Sequence, residues 1–271
     1  GNGTDALYIS LKSLGIGKED EVIVPANSFI ATAEAVGMTG AKVVFVDCCE
    51  QSFNLGLEGL KNKISKNTKA IIPVHLYGNP VDMEPILNIS RENNIAIIED
   101  AAQAHGAEFN KLKVGTIGHA GCFSFFPGKN LGAYGDAGII TTNSKKKYEY
   151  LKKIRNLGSE KKYYHDIIGV NSRLDTIQAL ILSKKLKNLD RYNSNRKKIA
   201  NIYNKNIVNY KITKLQYSKG CVFHQYVLVA NNIKKFSKYL KSQKIPFGRH
   251  YPFPIHKLKA VKNLFINKKF P

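Results

Sequence analysis

The sequence has few cysteines and no long apolar run. Its four cysteines, at positions 48, 49, 122 and 221, do not show the spacing of zinc ligands, and two of them lie in apparent strands. We therefore expect buried free thiols, with no disulfide and no metal site. No apolar stretch approaches the roughly 20 residues that cross a bilayer, so we expect no membrane partner. Because no charged start is followed by an apolar segment, we expect no signal peptide and a cytoplasmic location.

Acidic residues are also scarce: 20 Asp and Glu stand against 42 Lys and Arg, which gives a formal net charge of +22. Such a charge suits nucleic-acid binding, because clustered lysines release counterions from phosphate backbones. The lysines are spread through the chain, however, and no helix-turn-helix pattern accompanies them. This distribution favours solvated helix faces and no nucleic-acid partner, while the positive field would attract a small anionic substrate.

Short apolar strands alternate with helical stretches over the first part of the 271-residue chain. The predicted strands are residues 22–25, 42–47, 70–75, 95–100, 121–126 and 138–142. The predicted helices are residues 6–14, 28–38, 57–64, 83–93 and 145–156. Near-continuous β-branched runs of this length are typical of strands covered on both faces, which indicates an α/β fold with a mainly parallel sheet.

The pattern changes after about residue 155, although no repeat or low-complexity linker marks a boundary. The later elements are a loop at 159–166, a long helix from 174 to about 206, a strand at 225–230, a helix at 233–243 and an extended, proline-rich stretch at 246–256. We predict a large α/β domain at residues 1–155. Residues 156–271 are predicted to form an interface loop, the long helix and a smaller α+β domain.

Two charged residues follow the ends of predicted strands. Lys129 comes after the apolar run 121–126 and the turn Pro127-Gly128, and Asp100 ends the run 95–100. Ligands of α/β sheets bind beyond the carboxyl ends of the strands. A lysine whose pKa is lowered can act as a nucleophile and hold a carbonyl as a Schiff base. Each residue alone also has an ordinary interpretation, as a solvated loop lysine and as a helix-capping aspartate.

The opening turn, Gly-Asn-Gly-Thr at residues 1–4, leads into the first predicted helix. Free backbone N–H groups and the dipole at a helix N-terminus make an anion site. An ordinary helix cap by Thr4 or Asp5 is the alternative.

Six short motifs follow one another along nearly the whole chain: GNGTDAL (1–7), PANSFIAT (25–32), VHLYG (74–78), EDAAQAHG (99–106), FSFFPGKN (123–130) and GVNSRL (169–174). This ordered set resembles the pyridoxal-phosphate-dependent sugar aminotransferases of the DegT/DnrJ/EryC1/StrS family. The resemblance implies a fold-type-I transferase, with a mixed, mostly parallel sheet flanked by helices and a smaller C-terminal α+β domain. It also implies a homodimer with shared active sites.

The resemblance assigns roles to single residues. Lys129 matches the lysine that bonds pyridoxal 5'-phosphate and moves a proton. Asp100 matches the aspartate that keeps the pyridine nitrogen protonated, so that the ring remains an electron sink. The other cofactor-binding residues that it implies are Gly3, Thr4 and Ser124 at the phosphate, Phe29 stacked on the ring, Gln103 near the ring hydroxyl, and Asn171 and Arg173, which would reach the cofactor of the partner subunit.

The segment after the lysine, residues 129–138, resembles members that act on C3 of nucleoside-diphosphate-linked 3-keto-6-deoxyhexoses. Such an enzyme would take the amino group from glutamate and form a 3-amino-3,6-dideoxy sugar. The resemblance of the loops extends this interpretation to five candidate substrate-binding residues. They are Tyr134, Tyr164, His165, His250 and His256.

Three alternatives remain at this point. The enzyme could act on C4 of a nucleotide-linked 4-keto sugar, or it could be a dehydratase, although dehydratases of the family typically have histidine in place of Lys129. It could also be a non-catalytic regulatory or nucleic-acid-binding relative. Family members usually continue for several dozen residues before the opening turn and also beyond the last motif. We therefore expect this chain to be part of a longer polypeptide.

Overall fold

The computed structural model describes residues 1–265, and its centre is one sheet of six strands. The strands found within residues 1–265, in chain order, are β1 (Glu21–Pro25), β2 (Lys42–Val46), β3 (Thr68–Ile71), β4 (Ala96–Asp100), β5 (Glu108–Phe109), β6 (Leu112–Lys113), β7 (Ala120–Ser124), β8 (Gly138–Thr141), β9 (Ser159–Lys161), β10 (Tyr164–His165), β11 (Ile212–Lys214) and β12 (Leu228–Ala230). The central sheet has the order β2-β1-β3-β4-β7-β8, and its neighbours are parallel except for the antiparallel pair β7 and β8. The prediction of a mixed, mostly parallel sheet is confirmed.

Seven α-helices lie within the described residues. They are α1 (Gly3–Ser13), α2 (Ala31–Met38), α3 (Met83–Asn93), α4 (Lys145–Ile154), α5 (Thr176–Leu186), α6 (Leu189–Asn206) and α7 (Ile233–Ser242). The predicted long helix from 174 to about 206 is wrong, because the backbone leaves the helical region at Asn188 (φ −107°, ψ 0°) and separates α5 from α6.

The predicted helix at 57–64 is also wrong, since only a single 3₁₀ turn forms there, at Lys61–Lys63. Its apolar residues Leu57, Leu60 and Ile64 still pack on the core, so their spacing reflects burial of a turn.

Helices cover both faces of the sheet. Alternate residues of β1 show this, because Val22 and Val24 pack in the cluster that includes Leu7 of α1 and Val36 of α2. The intervening Ile23 packs on the other face, in the cluster that includes Ile86 of α3. Side chains of a strand point alternately to the two faces. A strand buried on both faces therefore needs the continuous apolar run that the sequence displays.

The predicted domain boundary falls just after α4, and the division at residue 155 stays a prediction. Residues 266–271 of the predicted second domain lie outside the described residues. Between Gly1 and residue 265, no helix has the length and hydropathy of a membrane span. All four cysteines are free; Cys122 and Cys221 are buried, and Cys48 and Cys49 are half-buried.

Candidate active site

The two residues predicted to be catalytic lie at the same edge of the sheet. Asp100 is the last residue of β4 and pairs with Cys122 of the adjacent parallel strand β7. Lys129 follows β7 through a short turn, in which the Lys129 backbone N–H donates to the carbonyl of Phe126 at 2.9 Å. Strand pairing therefore brings Asp100 and the loop of Lys129 together beyond the carboxyl ends of the strands, where ligands of α/β sheets bind.

The Lys129 amine is half-buried and electrostatically linked to Asp100. Burial lowers the pKa of Lys129, because it penalises the charged form, and the Asp100 carboxylate partly opposes this effect. A lowered pKa increases the fraction of neutral amine at neutral pH. The neutral amine is the nucleophilic form, so the loop favours covalent chemistry at this nitrogen.

The Asp100 carboxylate is buried, with 6% of the residue exposed. The Thr32 hydroxyl donates to its Oδ2 at 2.8 Å, and the Ala102 backbone N–H donates to its Oδ1 at 3.1 Å. Burial raises the pKa of Asp100 above its ordinary value, although these bonds and the charge of Lys129 act in the opposite direction. Its negative charge is thus incompletely compensated, which favours a cationic partner such as a protonated ring nitrogen.

A small cradle for an anion lies where α1 begins. Asn2 caps the helix by accepting from the Asp5 N–H at 2.9 Å, while the N–H groups of Gly3 and Thr4 have no acceptor among residues 1–265. Ser124 lies directly against this turn, since a Cβ on Gly3 would be 2.6 Å from the Ser124 Cβ. The free N–H groups, the helix dipole and the serine hydroxyl together fit a phosphate.

Three histidines lie near the Lys129 amine. Burial first, and the positive charge of Lys129 second, lower the pKa of His105 to about 4 and that of His224 to about 3. Burial and Lys129 also lower the pKa of His250. These imidazoles are therefore neutral at neutral pH, so they do not add positive charge beside Lys129.

Gln103 is fixed by two hydrogen bonds from opposite sides. Its amide oxygen accepts from the Tyr77 N–H at 2.7 Å, and its amide nitrogen donates to the Tyr251 hydroxyl at 3.0 Å. An amide nitrogen has two N–H groups, so one more donor is available for a ligand. The Phe29 ring lies 6.1 Å from the Tyr251 ring and is 55% exposed, which leaves a ring face available for stacking.

The predicted residues Asn171 and Arg173 lie outside this cluster. Both are exposed; the Asn171 backbone pairs with Asn156, and the Arg173 guanidinium donates to the Asn156 side chain at 3.4 Å. Between them, the Ser172 hydroxyl donates to the Asp5 carboxylate at 2.8 Å, so the segment lies beside the first turn of α1. Their assignment to the cofactor of a second subunit stays a prediction.

The predicted substrate-binding residues are dispersed. Tyr134 and Tyr164 are 76% and 64% exposed, and His165 is exposed and contacts the Leu157 carbonyl at 2.9 Å. His250 is exposed but lies near Lys129. The His256 ring lies 6.2 Å from Phe45, which belongs to the core. Their role in substrate binding stays a prediction.

The structure adds residues that the sequence did not single out. Thr32 and Tyr251 lay inside recognised segments, but their contacts with Asp100 and Gln103 join residues far apart in the chain.

Behind Asp100, the His75 Nε2 donates to the buried Glu99 carboxylate at 3.0 Å, because the His75 Nδ1 accepts from the Val81 N–H. The sequence did contain a signal for this pair, because Glu99 is a charged residue in an otherwise apolar strand.

Comparisons with known proteins identify the family of the chain. The model of the DegT/DnrJ/EryC1/StrS aminotransferase family matches residues 1–271. The chain belongs to this family. The predicted fold-type-I architecture and the class of pyridoxal-phosphate-dependent sugar aminotransferase are thereby confirmed at the level of the family.

Several known proteins are similar to this chain over most of its length. It is 46% identical to the dTDP-3-amino-3,6-dideoxy-alpha-D-galactopyranose transaminase of Aneurinibacillus thermoaerophilus over 96% of this chain and 72% of that protein. It is 45% identical to a pleiotropic regulatory protein of Geobacillus stearothermophilus over 94% of this chain and 70% of that protein. The crystal structure of S. venezuelae DesV superposes with a TM-score of 0.95, at 36% identity, over 98% of this chain and 73% of that one.

Proposed function

We propose that this protein transfers an amino group from glutamate to C3 of a nucleoside-diphosphate-linked 3-keto-6-deoxyhexose, with pyridoxal 5'-phosphate as cofactor. The observation that carries the proposal is the meeting of Lys129, whose pKa burial lowers, with the buried Asp100 carboxylate beside an anion cradle. The motif after Lys129 and the similarity to a 3-amino-sugar transaminase support C3 as the site of transfer.

When bound, pyridoxal phosphate supplies an electron sink for the carbon that loses or gains the amino group. The residues of the chain have distinct tasks toward it. The N–H groups of Gly3 and Thr4 would hold the phosphate, and Asp100 would hold the proton of the ring nitrogen. Lys129 would bond the cofactor and then, as a free amine, carry the proton to and from the reacting carbon.

The remaining predicted contacts belong to the same proposal. Ser124 would donate to the phosphate, Phe29 would cover one ring face, and the spare N–H of Gln103 would reach the ring hydroxyl. The five candidate substrate residues, Tyr134, Tyr164, His165, His250 and His256, would contact the sugar or the diphosphate. The net positive charge favours such an anionic substrate.

The proposal includes a homodimer. An apolar stripe on and before α5 is exposed to solvent: Leu174, Ile177 and Leu180 are 36%, 70% and 64% exposed and recur every three residues. Apolar faces of this kind are typical of contacts between subunits. Asn171 and Arg173 stand next to this stripe, so a second copy covering it would bring them toward the partner's site. A cytoplasmic location is also part of the proposal.

The direct test is a panel of nucleotide-linked 3-keto and 4-keto sugars, incubated with glutamate and pyridoxal phosphate. Product mass would report amination, and NMR of the isolated sugar would locate the nitrogen. We expect amination at C3. Amination at C4 alone would overturn the regiochemistry and favour the C4 alternative, and loss of water without amination would favour a dehydratase.

A second candidate function is regulatory nucleic-acid binding. The similarity to a pleiotropic regulatory protein and the net charge of +22 favour it. A mobility shift of labelled DNA at physiological ionic strength, weakening steeply with added salt, would favour that function. We expect no shift at protein concentrations that give full amination in the panel.

A further inference from the structure

Two buried hydroxyl groups lead from the start of α2 to Asp100. Ser28 and Thr32 are four residues apart, and they are 4% and 0% exposed. The Ser28 hydroxyl lies 3.0 Å from the Thr32 hydroxyl, which in turn lies 2.8 Å from the Asp100 Oδ2. A buried hydroxyl needs a partner, and here each partner leads one step closer to the carboxylate.

The direction of these hydrogen bonds follows from counting protons. A hydroxyl carries one proton, and an ionised carboxylate only accepts. Thr32 must therefore donate to an ionised Asp100, which leaves Ser28 as the donor to Thr32. If Asp100 took up a proton on Oδ2, that O–H could donate to the Thr32 hydroxyl and both bonds would reverse, but they would then join neutral groups. The charged form of Asp100 therefore receives the stronger, charge-assisted hydrogen bond from Thr32.

We propose that Ser28 and Thr32 form a hydrogen-bond relay that positions Asp100 and keeps it ionised for the ring nitrogen of the cofactor. Thr32 is in this sense a positioning residue, and the inference rests on the function proposed above. Hydrogen bonds to a charged group are stronger than those to a neutral one, so the relay favours the ionised carboxylate.

The surroundings of Asp100 explain why such support matters. Burial opposes the charge of this carboxylate and raises its pKa. The titratable groups that face it from neighbouring elements are Lys129, His75, Cys122 and Tyr251. Lys129 is needed for its own chemistry, and the His75 Nε2 is bound to Glu99. Thr32, in contrast, is not titratable, and its hydroxyl donates a short hydrogen bond to Asp100 at any pH at which Asp100 is ionised.

The relay can be tested on the protein freed of cofactor, by NMR of ¹³C-labelled aspartate carboxyl groups, with the Asp100 signal assigned from its loss in Asp100→Asn. We expect Thr32→Val, which keeps the shape but removes the hydroxyl, to raise the Asp100 pKa by about one unit. Thr32→Ser should restore the pKa of the unmodified protein. Ser28→Ala should raise it by a smaller amount, because Thr32 still donates to Asp100.

Two results would overturn the relay. One is an Asp100 pKa unchanged in Thr32→Val and Ser28→Ala, and the other is an equal shift in Thr32→Ser and Thr32→Val, which would indicate packing. Circular dichroism checks that each variant is folded. If Thr32→Val does not fold, the Asp100 pKa in Ser28→Ala still tests the relay. The titration uses no sugar substrate, so the relay can hold while the substrate panel fails, and the reverse outcome is equally visible.

Discussion

The carboxyl edge of the sheet and the segment from β9 to α5 differ in how many of their side chains are buried and bonded within the chain. At the carboxyl edge, Asp100, Gln103 and Glu99 are buried and hydrogen-bonded within the chain. From β9 to α5, the side chains of Tyr164 and Ile177 are 64% and 70% exposed. The difference indicates that one chain alone holds the groups around Asp100 in place, whereas on our proposal a substrate or a second copy would cover the exposed region.

The two regions are also held by different forces. The buried Glu99 carboxylate accepts N–H groups of Gly115, Ile117 and Gly118 at 2.6 to 2.7 Å in addition to the His75 bond. The β9-β10 hairpin, in contrast, is tied through ion pairs from Lys153 to exposed acidic residues. Surface ion pairs contribute little to stability, whereas leaving buried donors without the charged acceptor that they bond is costly. We therefore expect substitutions in the two regions to act on different properties.

The largest effect is expected at the reactive amine. Lys129→Ala removes the group that would bond the cofactor and move the proton, so turnover with the accepted keto sugar should fall by at least about a thousandfold. Initial rates of amino-sugar formation measure this directly, with Lys66→Ala, an exposed lysine elsewhere, as the control. Turnover by Lys129→Ala without added amines at more than a small fraction of the normal rate would refute the assignment.

The next effect concerns stability at the carboxyl edge. Glu99→Gln keeps the shape but removes the charge from four donors, and we expect the free energy of unfolding to fall by about 3 kcal/mol at pH 7. Urea denaturation measures it, with the exposed Glu92→Gln as a control that should change little.

The Glu99 prediction has a defined pH dependence. Burial would raise the pKa of Glu99, but the hydrogen bond from His75 and the N–H groups of Gly118 and Gly115 hold it below the ordinary 4.5. Its stabilisation is therefore fully present above pH 4.5 and lost as the pH falls through the lower pKa of the folded state. The difference in the free energy of unfolding between the unmodified protein and Glu99→Gln should therefore decrease as the pH falls through this range. A difference that stays constant to acid pH would contradict this account.

A third prediction addresses the exposed region. The double substitution Ile177→Asp and Leu180→Asp places charges on the α5 stripe, and an isologous interface contains each substitution twice. We expect the dimer dissociation constant to rise by at least about a hundredfold, because each buried apolar side chain contributes about 1.5 to 3 kcal/mol. Sedimentation over a concentration series measures it. Leu112→Asp, an equally apolar exposed site on another surface, is the control; equal dissociation in both would show that α5 is not the contact.

The smallest effect is expected at the anion cradle. Gly3→Ala adds a Cβ 2.6 Å from the Ser124 Cβ, so the first turn of α1 must shift away from the serine. We expect pyridoxal phosphate to bind about tenfold more weakly, which corresponds to about 1.4 kcal/mol. Gly17→Ala is a matched control, since a Cβ there meets open space. Fluorescence titration measures the affinity for pyridoxal phosphate. Equal affinity of both variants would show that Gly3 does not contribute to the anion cradle.

The sequence predicted the sheet well because strands buried on both faces need continuous apolar runs, and the ends of those runs located Asp100 and Lys129. It could not predict the break between α5 and α6, because a single residue, Asn188, leaves the helical region without any glycine or proline. It also missed the bond from Thr32 to Asp100 and the bond from Gln103 to Tyr251. Periodicity carries no information on contacts between residues so far apart in the chain.

The central claim is that Lys129 bonds pyridoxal phosphate while Asp100 and the cradle hold the ring and the phosphate. The most direct measurement is an absorbance titration of the purified protein with pyridoxal phosphate, repeated with Lys129→Ala. The account predicts a visible band of lysine-bound cofactor that saturates at one equivalent per chain and is lacking in Lys129→Ala. The same band in both proteins, or no band in the unmodified protein, would contradict it.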